Sequence, residues 1–241
     1  MSEPIQKLFT TRAEQYPEPT AADVAQGTAR AALAAIPVVG GSITEVMSMV
    51  LAPAISRRRD AWLKELADAL DEVERKVDGF RIEDLQDNEA FVSAVIEASR
   101  SAISTHKQDK RDALRNALLN IALHRSADED QQQTFLRYIE ELTVWHLRIL
   151  VLFQNPPQSL AAKGIRTNYL IGGPSQVLTD VYPELKEKRE LYDQIIIDLH
   201  ARGLLTSPGF LHATMSAQGM IEKRTTPVAD TFLAFIAKPV A

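Results

Sequence analysis

Apolar residues recur every three or four positions through much of the first 150 residues, and this spacing constrains the fold more than any other feature. Between positions 54 and 150, four stretches each place their apolar side chains on one helical face. The predicted helices are residues 54–77, a helix that follows the cap Asn88, residues 109–123, and a helix from about Asp128 to Leu150 that Ser126 or Asp128 can cap. Such faces must be covered by neighbours, and short connections favour antiparallel helices. The pattern predicts a helical bundle over residues 1–154. We expect burial of Trp62, Leu66, Leu70, Phe91, Val95, Leu118, Phe135, Ile139 and Leu142.

The composition changes after residue 154. Residues 155–241 carry nine Lys and Arg and eight Asp and Glu, so the acidic excess of the chain, whose net charge is −5, lies in the first region. Pro156 and Pro157 follow a long apolar run and cannot continue a helix. We therefore predict a domain boundary and a break in packing here, with a second module over residues 155–241.

The second region has a different pattern of elements. Two helices, the second ending near Gly203, precede a turn-rich segment that predicts a small hairpin between 204 and 225. Thr226 and Pro227 then predict the start of a last helix. In this order of elements, about 70 C-terminal residues resemble a winged-helix domain. The predicted fold class is mainly α, a helical bundle followed by a small winged-helix-like α+β module.

Several stretches of the first region resemble a group of bacterial proteins of similar length. They are AAIPVVGGSITEV (34–46), RRRDAWLKELADAL (57–70), NEAFVSAVIEASRSA (88–102), KRDALRNALLN (110–120) and ELTVWHLRIL (141–150). The resemblance implies a bacterial origin and a helical fold. It assigns no functional residue, because no activity is attached to that group.

The apolar run at residues 31–55 is the most unusual segment, since its one charged side chain is Glu45. Its length would suit a bilayer-spanning helix. The cluster Arg57, Arg58 and Arg59 that follows would suit the cytoplasmic flank of such a helix or contact with phosphates or anionic lipid. A solvated helical face with internal ion pairs is the favoured interpretation of these arginines. One interpretation is therefore a membrane-active protein that inserts residues 31–55.

Pro37, the Gly40-Gly41 pair and Glu45 favour a different interpretation of this run. Proline and glycine divide it into two pieces too short to span a bilayer, and a carboxylate inside the membrane is costly. We therefore favour a hairpin in the bundle core with its turn at residues 37–41; a partner-binding groove is the third alternative. The hairpin predicts packing of Val38, Val39, Ile43, Val46, Met47 and Val50 against the bundle.

Motifs of enzymes and metal sites are missing. The chain has no cysteine, and no two of its five histidines have the spacing of a zinc-binding helix. It contains no G-x-S-x-G, G-x-x-x-x-G-K-[ST] or G-x-G-x-x-G motif. We predict a non-enzymatic protein without a metal or cofactor.

The winged-helix resemblance implies candidate nucleic-acid contacts on a helix at about 186–202 and on the following wing. These candidates are Lys186, Lys188, Arg189, Arg202, Lys223 and Arg224. Acidic residues alternate with them along the helix, whereas DNA-binding proteins concentrate positive charge on one face. A protein-binding module is therefore favoured over a DNA-binding regulator.

The function predicted from the sequence is that of an intracellular interaction protein. The N-terminus has no secretory-signal pattern, so we expect a cytoplasmic location, with membrane association if residues 31–55 insert. The partner is a protein of unknown identity, and a homo-oligomer is compatible with the sequence. Membrane insertion and DNA binding are the first and second alternatives.

Overall fold

The computed structural model describes the backbone of residues 41–46 and all of residues 47–124, 128–166 and 169–239. The described chain is mainly helical, as predicted. By compactness the chain divides into residues 1–61 and residues 62–241. The α-helices are α1 (Gly41–Lys76), α2 (Glu89–Ser104), α3 (Gln108–Ala122), α4 (Glu129–Glu141), α5 (Val144–Gln154), α6 (Pro156–Ala162), α7 (Pro174–Val181), α8 (Arg189–Ala201), α9 (Ala217–Met220) and α10 (Pro227–Ile236). The two short strands are β1 (Ile171–Gly172) and β2 (Met215–Ser216), and short 3₁₀ helices occupy Ile82–Asp87, Pro183–Leu185 and Gly209–His212.

Residues 41–61 of the first unit form the beginning of α1, which continues through Pro53 instead of starting after it. Met47, Met49 and Val50 are exposed, so the burial predicted for Met47 and Val50 is wrong. The predicted turn at 37–41 lies outside the described residues except for Gly41, as do Val38 and Val39 and the side chains of Ile43 and Val46. No helix in the described part of the chain is both long enough and apolar enough to cross a membrane.

Helix starts in the second unit follow local capping chemistry. The Asn88 side chain accepts a hydrogen bond from the Phe91 amide, and Asp128 accepts one from the Gln131 amide. Thr226 caps α10 in the same way, with Pro227 in the first turn. These three starts are confirmed, because a cap depends only on residues within one helical turn. Ser126, the other predicted cap of α4, lies outside the described residues.

The helix predicted from about Asp128 to Leu150 is instead two helices, α4 and α5. Thr143 begins the second of these and forms a capping box with His146. A threonine competes for backbone hydrogen bonds and is more favourable at a helix start than inside a helix. The apolar spacing continues across this break, which is why periodicity alone joins the two helices.

The hydrophobic core of the second unit contains the residues that the helical faces predicted. Eight of the nine are buried, and Val95 is half-buried against the same core. The Trp62 ring is completely buried, and its Nε1 donates a hydrogen bond to Ser99 Oγ at 2.9 Å. The prediction of the helical faces is therefore confirmed.

Packing is continuous across Pro156-Pro157, and the break predicted there does not occur. Phe135 of α4 lies 5.4 Å from Phe232 of α10, measured between ring centroids. The Arg224 amide also donates to the Phe153 carbonyl at 2.8 Å. Asn155 caps α6, and Pro156 occupies its first turn, where proline is well tolerated. The two prolines therefore begin a helix, α6, which packs against the same core.

Strand pairing differs from the hairpin predicted at 204–225. The β2 strand pairs antiparallel with β1, which precedes it by more than 40 residues, and one bridge joins Leu205 to Thr225. A Cβ on Gly173 would lie 3.1 Å from the Leu211 carbonyl oxygen, so glycine permits the close approach of these two backbones. Sequence periodicity carries no information about a partner this distant.

Candidate functional site

The candidate functional site is the solvent-facing side of α8. Tyr192, Ile195, Ile196 and Leu199 are buried, which fixes the orientation of the helix. The opposite side, which we call the α8 face, exposes Glu190, Leu191, Gln194, Ile197 and Ala201. Residues 190–201 include no lysine or arginine. The α8 face is therefore apolar and weakly acidic.

Three of the predicted nucleic-acid contacts lie at the start of α8. Lys186 and Lys188 are exposed just before the helix. Arg189 begins it, and its Nε lies 3.4 Å from Asp193 Oδ2. Asp193 Oδ1 is also 2.6 Å from His212 Nε2. The positive charge of Arg189 is thus partly neutralised within the molecule.

Arg202 is held at the other end of α8. Its guanidinium contacts Asp198 Oδ1 at 3.2 Å and Glu141 Oε2 at 2.6 Å, and it lies over the Tyr138 ring. The arginine therefore connects α8 to α4. Binding to a phosphate would require it to leave two carboxylates.

Lys223 and Arg224, the predicted wing contacts, also have partners within the molecule. Lys223 forms an ion pair with Asp230. Arg224 is only 16% exposed, donates to the Gly219 carbonyl at 2.7 Å and stacks over Phe210. The structure therefore does not bring the six predicted cations together as one free basic surface.

Arg57, Arg58 and Arg59 belong to the other unit, on α1. Arg57 and Arg58 are exposed, and Arg59 forms an ion pair with the neighbouring Asp60 at 3.0 Å. Contact with an anionic surface by these arginines stays a prediction.

His146 connects α5 to α8 beneath the candidate site. Its Nε2 lies 3.1 Å from Asp198 Oδ2, while Nδ1 is 3.3 Å from the Thr143 amide nitrogen. Nδ1 must accept the amide proton, so the network assigns the ring proton to Nε2, which donates to Asp198. Burial lowers the pKa of His146, and this effect exceeds the opposing effect of the Asp198 carboxylate.

The His146 network predicts a pH dependence of stability. Because its pKa is lower in the folded protein than in the unfolded chain, protonation favours unfolding. We expect the contribution of His146 to be complete above its ordinary pKa of about 6.5 and to be lost as the pH falls through the lower folded value. Urea unfolding across this range measures the effect.

His146→Gln provides the control for this pH profile. Glutamine can keep the capping box with Thr143 but does not titrate. The variant should lose part of the decrease in unfolding free energy below pH 6.5, a value given by the ordinary histidine pKa. Identical pH profiles for the two proteins would contradict the assignment.

A structural role for Asn116 and Asn120 was not predicted from the sequence. Asn120 is buried, and its Nδ2 lies 2.9 Å from the carbonyl oxygens of Phe235 and Ala237. Asn116 Nδ2 donates to the Ile236 carbonyl at 3.0 Å. Carbonyls at a helix end lack intrahelical partners, and these amides supply them for α10. Two asparagines four residues apart inside a helix were the available signal, because asparagine is unfavourable there without a tertiary role.

Asn120→Ala should lower the free energy of unfolding by about 1–3 kcal/mol, since it leaves buried carbonyls without donors. Asn116→Ala is the matched control, because Asn116 is half-buried and has a single such bond. We expect a smaller loss for that variant. Chemical denaturation of both variants measures these losses. A larger loss of stability in the Asn116 variant than in the Asn120 variant would contradict the role assigned to Asn120.

A cleft of about 600 Å³ lies on another side of this unit, between α3, α5 and the end of α10. Its lining includes Val151 and Ile236, with Arg148 at one edge. Arg148 forms an ion pair with Asp109 at 2.8 Å. The cleft is therefore an apolar groove whose cation is already neutralised, and the α8 face is the stronger candidate.

Neither a family comparison nor a search among curated proteins and solved structures identifies a match to this chain. Within the described residues, no three His, Asp or Glu side chains are grouped so that they could hold a metal ion. The function of the protein is therefore inferred from the geometry of the α8 face.

Proposed function

We propose that this protein is a non-enzymatic interaction protein in which a helical scaffold carries a winged-helix-like module. The order of α7, α8, the Leu205–Thr225 bridge and α10 supports the module, since helix, helix, paired strands and closing helix resemble that domain. The α8 face would bind a protein partner.

The absence of cations from the α8 face is the observation that carries this proposal. A helix that enters a DNA groove needs basic and polar side chains toward phosphates and bases. The face instead presents Leu191 and Ile197 around Gln194. Exposed aliphatic side chains bounded by polar residues are typical of a surface that binds protein.

The arrangement of the surrounding cations supports the same proposal. Four of the six candidate cations are paired with carboxylates of this molecule. Binding to phosphate would break these ion pairs. The free energy lost in breaking them offsets the free energy gained by neutralising the phosphate. Much of the affinity of DNA-binding proteins comes from that neutralisation.

Photo-crosslinking in cells of the native host tests the protein partner. A benzoylphenylalanine at Gln194 should give a discrete protein adduct, and Leu191→Glu should abolish it. The same label at Gln133, an exposed glutamine of α4, is the matched control. An adduct of twice the chain mass would identify a second copy as the partner. No adduct at 194, or one unaffected by Leu191→Glu, would contradict the proposal.

DNA binding is the second candidate, and the exposure of Lys186 and Lys188 beside α8 favours it. A gel shift at low salt, where phosphate contacts are strongest, tests it. A DNA band that is shifted by the parent protein but not by a Lys186→Glu, Lys188→Glu double variant would support DNA binding over protein binding. Lys107→Glu, at an exposed lysine before α3, is the control.

A further inference from the structure

Two adjacent aliphatic side chains project into solvent at the start of β1. Leu170 is 84% exposed and Ile171 is 75% exposed. A folded protein gains free energy by burying such side chains, so a pair left almost fully in water suggests a contact surface. We call these two residues the 170–171 tip.

The residues around the tip hold it in place. On one side the Tyr169 hydroxyl donates to Asp180 at 2.9 Å, and on the other β1 pairs with β2 through Ile171 and Ser216. Gly173 lies against the backbone at Leu211. Tyr169 and Ile171 are thus each tied to another part of the unit, and the aliphatic side chains of Leu170 and Ile171 extend into solvent.

Two exposed cations lie close to the tip along the chain. Lys163 and Arg166 are exposed, and residues 142–179 contain no aspartate or glutamate. The segment on the paired strand, 213–221, has no charged residue. Asp180, which accepts the Tyr169 hydrogen bond, is the first carboxylate after the tip, and Glu222 pairs with Arg224 at 3.2 Å. The tip therefore combines an apolar point with two exposed cations that lie within seven residues of Leu170 along the chain.

The aliphatic side chains and the cations together favour one kind of binding partner for the tip over two others. A second copy would bring Lys163 and Arg166 of two chains together, and like charges repel. A standard protein interface needs about 800 Å² on each side, and the two residues of the tip are a smaller base for one than the five exposed residues of the α8 face. A lipid bilayer requires no matching shape, accepts aliphatic side chains and presents anionic headgroups to the cations.

We propose that the 170–171 tip docks this protein on an anionic lipid surface. Leu170 and Ile171 enter the boundary between headgroups and acyl chains, and Lys163 and Arg166 contact the lipid phosphates. This site shares no residue with the α8 face or with the apolar run at 31–55. It goes beyond the proposed function, since it concerns where the protein is placed and not which protein it binds.

The absence of cysteine allows a direct test on the full chain. Leu170→Cys labelled with an environment-sensitive nitrobenzoxadiazole dye should brighten and shift to the blue with phosphatidylglycerol vesicles. It should not respond to phosphatidylcholine vesicles alone. Ile96→Cys, at an aliphatic residue of α2 that is 50% exposed, is the matched control and should not respond to either.

Co-sedimentation with the same vesicles measures the contribution of each group. Leu170→Ser with Ile171→Ser should reduce binding about tenfold or more, because two aliphatic side chains no longer enter the bilayer. Lys163→Glu with Arg166→Glu should reduce binding to phosphatidylglycerol by about tenfold or more. Lys107→Glu with Arg137→Glu changes the net charge equally at exposed positions elsewhere and should retain binding.

Three results would overturn the proposal. One is vesicle binding that is absent or is unchanged in the serine variant. Another is a dye response at Met49→Cys but not at Leu170→Cys, which would assign the contact to the residues of α1. The third is binding to polyglutamate without binding to vesicles, which would identify an acidic protein partner. Melting temperatures of all variants show whether each remains folded.

Discussion

Replacement of Phe135 by alanine should lower the free energy of unfolding by about 3–5 kcal/mol. Its ring is buried between α4 and α10 and lies 5.4 Å from Phe232 and 5.5 Å from Phe235. Truncation would leave a cavity at the contact between the segments before and after Pro156. Urea unfolding followed by circular dichroism measures the loss.

The same experiment tests whether the core is continuous. Since α4 and α10 share it, one cooperative transition should shift as a whole in the Phe135 variant. Phe80→Ala is the matched control, because Phe80 is half-buried at the edge of this core and should cost less. Two separate transitions, one of them unchanged by Phe135→Ala, would restore the domain break predicted at Pro156.

Leu118→Ala and Leu66→Ala should each cost about 2–5 kcal/mol of unfolding free energy. Both side chains are buried in the core, Leu118 completely. Leu118 is enclosed by its neighbours, so little relaxation is available to fill the cavity and its cost should lie toward the upper end of that range. Differential scanning calorimetry and denaturation give the values.

Leu191→Ala, on the α8 face, is the control for both core variants. Leu191 is exposed, so the same chemical change should alter stability by less than about 0.5 kcal/mol. If the two core variants unfold like the parent chain, the predicted helical faces are wrong. If Leu191→Ala is as destabilising as they are, the orientation of α8 is wrong.

The locations of helices and of their buried faces could be predicted from the sequence because both depend on nearby residues. Asn88 caps a helix by contacting an amide three positions away, and the spacing from Trp62 to Leu70 places those side chains on one face. The separation of α4 from α5 was missed, since the capping role of Thr143 competes with an apolar pattern that continues unchanged.

The candidate site was only partly predictable. The sequence identified the basic residues around α8 and the acidic residues between them, and this balance already favoured a protein partner over DNA. It could not show that Arg202 pairs with Glu141, 61 positions earlier, or that Leu191 and Ile197 are the exposed aliphatic residues of the helix. Exposure depends on which face the neighbouring helices cover.

The sequence by itself therefore determined a mainly helical protein, its core residues and several of its helix starts. Only the tertiary structure decided that the core extends across Pro156, that β1 pairs with β2, and that Asn120 contacts carbonyls 115 and more positions away. Hydrogen-bond periodicity and capping act within a few residues, so a single sequence records them. Long-range contacts depend on how all the elements pack together, and no local pattern specifies that arrangement.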